Sequence, residues 1–69
     1  MKYAVVIEKT GSGFSGYVPD LPGIGVAGNT RAEVRRLLRE ATAIYLAEKR
    51  ARGAQPPKAT TVAEYVEAA

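Results

Sequence analysis

Cysteine and histidine are both absent from the chain. That inventory excludes a disulfide framework, a thiolate nucleophile, an imidazole base and any ordinary zinc or haem site. Carboxylates are sparse as well: Asp20 is the sole aspartate, and the glutamates are scattered along the sequence. Glycosidic or two-metal chemistry would need such groups in pairs. Long apolar runs are missing too, none approaching the ~20 residues that span a bilayer. The opening Met1 to Glu8 offers only a short apolar stretch before a charge, too little for the core of a secretory signal. The expectation is a cytoplasmic protein with no membrane partner, no cofactor and no catalytic group. Ser12 and Ser15 have no histidine to activate them and no lysine at a persuasive spacing. Gly11, Gly13 and Gly16 lie between two strand patterns and not at a helix entry, so they fit turns better than a phosphate loop.

What is present is 69 residues, 46% hydrophobic and 25% charged, with a net charge of +3. This is the composition of a globular chain, and the length allows one domain over residues 1–69. Chains this short draw extra stability from staples, metals, self-association or very tight packing. With the first two excluded, a homo-oligomer is the expected remedy.

Residues 2–8 alternate, with Tyr3, Val5 and Ile7 on one face and Ala4, Val6 and Glu8 on the other, which predicts a strand. A Thr10-Gly11-Ser12-Gly13 turn and an extended Phe14 to Val18 complete an antiparallel hairpin. Pro19-Asp20-Leu21-Pro22-Gly23 then stops the sheet, because proline lacks a backbone donor and restricts the residue before it. Ile24 to Gly28 predicts a short third strand, weakened by Gly25.

Thr30-Arg31-Ala32-Glu33 has the form of a capping box and opens a helix over roughly residues 31–52. Val34, Leu37, Leu38, Ala41, Ile44 and Tyr45 form its apolar stripe, and Gly53 suits its terminus. Gln55-Pro56-Pro57 bars continuation and leads back toward the sheet. The tail from Thr60 to Ala69 fits a fourth strand, while Thr61-Val62-Ala63-Glu64 also suits a short helix cap. The strand is preferred, since a small domain gains more from another strand than from an unsupported two-turn helix. The resulting fold class is α+β, in the order β-β-β-α-β with one helix on one sheet face.

Arg31, Arg35 and Arg39 recur every four residues and make a basic ribbon on the helix. It is either a solubilising outer face or a contact for phosphates, and no aromatics are interleaved for base stacking. Asp20 reads either as an Asx-type turn or as part of a presented recognition loop with Leu21 as an exposed apolar contact. Tyr17, Asp20 and Leu21 are thus the candidate partner-binding residues, joined by Ala4 and Val6 on whichever sheet face the helix leaves open. A small basic nucleic-acid-binding protein and an orphan homo-oligomeric domain are the rival readings.

Three stretches, Tyr3 to Lys9, Phe14 to Gly23, and Gly28-Asn29-Thr30 with Glu33, closely resemble the N-terminal domain of the HicB antitoxin family, with Pro-Asp-Leu-Pro-Gly the most specific piece. The Glu64-Tyr65-Val66-Glu67 tail extends the likeness along nearly the whole chain. The resemblance implies a truncated ribonuclease-H-like sheet whose fourth strand lies parallel to the first. It also implies the antitoxin of a type II toxin–antitoxin pair, whose partner is a HicA-type toxin, a ribonuclease that cleaves messenger RNA. Many relatives continue into a DNA-binding segment, and nothing in these residues resembles one, so operator DNA is not an expected ligand of this chain.

Overall fold

The computed structural model describes residues 1–69 and has three strands followed by one helix: β1 (Val6–Lys9), β2 (Phe14–Tyr17), β3 (Gly25–Gly28) and α1 (Arg31–Ala51). The sheet is antiparallel throughout, in the order β1-β2-β3. The α+β class is as the sequence predicts.

Strand β1 is shorter than its alternating pattern, because its only neighbour ends. Tyr17 pairs with Val6, after which Val18-Pro19 leaves the ladder. Residues 2–5 therefore run on past the end of β2 with no strand beside them. The β1–β2 turn is closed by Thr10 N–H to the Gly13 carbonyl at 2.9 Å and by Gly13 N–H to Thr10 Oγ1 at 3.1 Å.

Alternation sends Ile7, Phe14, Gly16, Val18 and Val26 toward the helix, and Val6, Glu8, Ser15, Tyr17 and Ala27 to the opposite, open face. Gly16 is where the layers meet most closely: a Cβ there would stand 2.8 Å from Val34 Cγ1 and 2.9 Å from Leu38 Cδ1. The core consists of Val18, Leu21, Val34 and Leu38, flanked by Tyr3, Ile7, Phe14, Ile24, Val26 and Tyr45. The helix packs chiefly on β2 and β3 and lies only lightly over β1.

Thr30 caps α1 from an extended conformation, its Oγ1 accepting from Glu33 N–H at 3.0 Å. The return bond is displaced by one residue, since Glu33 Oε1 accepts from Asn29 N–H at 2.6 Å. Gly53, at φ +71°, ends the helix in the left-handed region. Most of the predicted stripe faces inward, but Ile44 is 67% exposed because the short β3 does not reach beneath it.

The expected fourth strand is not formed. Residues 52–69 contain no strand and no continuing helix, and the last backbone–backbone hydrogen bond in the chain runs from Ala54 N–H to the Lys49 carbonyl. A strand exists only beside another strand, and these residues lie along no edge. Val62, Tyr65 and Val66 are 75%, 100% and 88% exposed.

Candidate functional site

Two surfaces can engage a macromolecule. The first is the open sheet face. Val6 and Tyr17 are direct cross-strand partners there, with Gly25 opposite Tyr17 on its other side and Ala27 opposite Ser15. Because Gly25 and Ala27 barely cover their neighbours, the Tyr17 ring stands clear and is 45% exposed. Glu8 is the one charged residue among the strand positions of this face. The result is a flat, mostly apolar patch with a phenol at its centre, a kind of surface that binds by shape and burial.

The second surface is a groove of about 250 Å3 between α1 and the unpaired residues before β1. Tyr3, Val5, Leu38 and Leu46 line it, and Arg35 and Arg39 border it. Arg31, Arg35 and Arg39 are all exposed and none has an acidic partner, whereas Arg36 is bound to Glu40 at 3.1 Å and Arg52 reaches Glu48 at 4.0 Å.

The Pro19 to Gly23 loop corrects the expectation for Leu21. Its backbone curls back on itself, with Leu21 N–H donating to the Val18 carbonyl at 3.0 Å and Ile24 N–H to the Leu21 carbonyl at 3.4 Å. Gly23, at φ +91°, makes the reversal possible. Leu21 is thereby driven into the core at 0% exposure, so it offers no contact to a partner.

Asp20 is neither a local turn former nor a free carboxylate. Its Oδ2 accepts from Thr60 N–H and Thr61 N–H, each at 3.0 Å, while Oδ1 accepts from the Thr61 hydroxyl at 2.7 Å and the Thr60 hydroxyl at 3.3 Å. The Thr61 N–H, and next its hydroxyl, hold the Asp20 carboxyl below its ordinary value of 3.8, with smaller contributions from Thr60 against a modest desolvation. Asp20 thus clasps the start of the tail to the end of the sheet, and Tyr3 helps by donating its hydroxyl to the Pro57 carbonyl. Sequence reasoning missed this clasp because its partners are 40 and 41 residues apart. A Thr-Thr pair in a chain with a single aspartate was the available signal.

Nowhere do three histidine, cysteine, aspartate or glutamate side chains converge to hold a metal ion, and no helix is long and apolar enough to cross a membrane. Fold and surfaces together define a small α+β protein whose exposed features are suited to binding. Over residues 3–69 the chain matches the family model of the HicB-like antitoxin of bacterial toxin–antitoxin systems, and it belongs to that family. Membership points to the antitoxin's role, to a toxin as partner and to a part played without catalysis. Comparison with curated proteins and with solved structures gave no match.

Proposed function

We propose that this chain acts in the cytoplasm as the antitoxin of a type II pair, laying its open sheet face over the RNA-cleaving surface of a HicA-type ribonuclease. The observation that carries the reading is the Val6–Tyr17 patch, an uncovered apolar sheet face in a chain whose family is one of antitoxins. A buried aromatic at the centre of an interface is the usual source of its binding energy. Neutralisation is steric, and it asks no proton transfer of the chain.

The test is co-expression with a small HicA-type toxin, co-purification, and an RNA cleavage assay. The expected result is a stable complex in which cleavage stops. Tyr17→Ala is expected to weaken binding by about thirtyfold, equivalent to ~2 kcal/mol at a central aromatic contact, while leaving the helix signal in circular dichroism unchanged. No complex and unaltered cleavage would discard the proposal.

The unpartnered Arg31, Arg35 and Arg39 support a second reading, in which the helix binds RNA directly. Titration of single-stranded RNA against salt separates the two. Three phosphate contacts would give a log–log slope of about −2, from roughly −0.7 per contact, whereas the sheet-face interface should respond far less.

A further inference from the structure

We infer that the arginine flank of α1 binds single-stranded RNA, with the phosphates along Arg31, Arg35 and Arg39 and one unstacked base in the groove beside Tyr3. The inference rests on the RNA reading of that ribbon given above, and it adds the form of the nucleic acid and the seat of a base. It concerns the helix side of the sheet, so the open Val6–Tyr17 face stays available to a toxin.

The first observation is a separation of charge. At 3.6 residues per turn, Arg31, Arg35 and Arg39 share one flank of α1, and Glu33, Glu40 and Glu48 fall on the other. Each of these glutamates is also engaged: Glu33 accepts from Asn29 N–H, Glu40 is bound to Arg36 and Glu48 reaches Arg52. Away from the helix, Asp20 is held by Thr60 and Thr61, and Glu8 stands on the open sheet face. No ion pair joins any carboxylate of the chain to the ribbon, Glu64 and Glu67 of the tail included. A cationic flank that its own chain leaves unneutralised is complementary to a polyanion.

The second observation is spacing. Four residues at ~1.5 Å each set successive arginines about 6 Å apart along the axis, so the charges form a line and not a cluster. Guanidinium forks grip phosphate oxygens in pairs, and a line of them follows a backbone of phosphates better than it cradles one compact anion.

The third is the groove that Arg35 and Arg39 border. At about 250 Å3 it lies just below the ~300–1,000 Å3 of drug-sized ligand sites, the scale of a single base and too small for a folded segment of protein. Its floor of Tyr3, Val5, Leu38 and Leu46 is largely apolar, and Thr42 brings a hydroxyl to its wall. No aromatic stands between Arg31 and Arg39 in the sequence, but the fold supplies one from the far end of the chain. The Tyr3 hydroxyl donates to the Pro57 carbonyl, which holds the ring in place. A fixed aromatic beside a cationic track is how proteins hold single strands, whereas a duplex keeps its bases stacked inside.

The test is fluorescence anisotropy of a labelled single-stranded RNA of about ten nucleotides with the purified full chain, across a salt series. Inorganic polyphosphate and oligoglutamate serve as competitors. The expected log–log slope is about −2, from three contacts at roughly −0.7 each. Polyphosphate, which has no base, is expected to bind about tenfold more weakly, within the range for one base–aromatic stack. Tyr3→Leu should lose the same factor with the slope unchanged, while Tyr3→Phe, which keeps the ring and lacks the hydroxyl, should retain most of the affinity. Arg35→Gln with Arg39→Gln should bring the slope to about −0.7, with the circular dichroism of the helix retained. Equal binding of RNA and polyphosphate, or indifference to Tyr3→Leu, would overturn the inference and leave the ribbon reading standing. Tighter binding of oligoglutamate than of RNA would make the ligand an acidic protein segment and overturn it too. Failure to bind either RNA or polyphosphate would remove the ribbon reading itself.

Discussion

Gly16 shows how little spare volume separates the two layers. A methyl group added there would press against Val34 and Leu38, which are 0% and 1% exposed, and its third neighbour, the Val6 carbonyl oxygen, is backbone at 3.1 Å. Gly16→Ala is therefore expected to lower stability by about 1–3 kcal/mol, the usual cost of overpacking, read from the midpoint of urea unfolding. Asp20 makes a different kind of prediction. Its folded-state carboxyl lies below 3.8, so on acidification the unfolded chain takes up the proton first. The clasp's contribution is complete above the ordinary carboxylate value and is lost as pH falls through the lower folded one. The amide signals of Thr60 and Thr61 should titrate together in that acid range and stop doing so in Asp20→Asn. At neutral pH the same variant should free the tail root, seen as faster tryptic cleavage after Lys58.

At the scale of elements, legibility followed the distance over which a signal acts. The helix was plain in the sequence because its cap, its apolar stripe and its terminating glycine are all local, and the structure returns Arg31–Ala51 with Thr30 as N-cap. Thr30→Ala is accordingly expected to cost about 1 kcal/mol, measured by thermal melts of α1 at 222 nm. The hairpin was equally readable from alternation and from Thr10 to Gly13. The open face was half visible: the alternation grouped Ala4 with Val6, but only the register sets Val6 opposite Tyr17. Leu21 was misread because a stiff proline loop suggests display, while the reversal that buries it depends on a left-handed Gly23 and a core not yet assembled. The tail was misread for the opposite reason. Its β-branched pattern is local and correct as far as it goes, but a strand needs a neighbour, and residues 62–67 have none within their own chain.

The whole molecule is best understood through what its size denies it. Four buried side chains form the core, and no disulfide is available to constrain the unfolded chain. A chain of this length has little margin from its own burial. Self-association is the remedy such a chain has left, and folding would then be linked to association. That linkage has a signature independent of any structural probe. For two chains that unfold as they separate, a tenfold rise in concentration favours the folded pair by about 1.4 kcal/mol. Spread over the unfolding entropy of two such chains, this amounts to roughly 5 °C in Tm. Calorimetric scans across two decades of concentration should climb by that amount per decade. Scans that superimpose across that range would instead show a chain that folds alone, which has no concentration in its equilibrium.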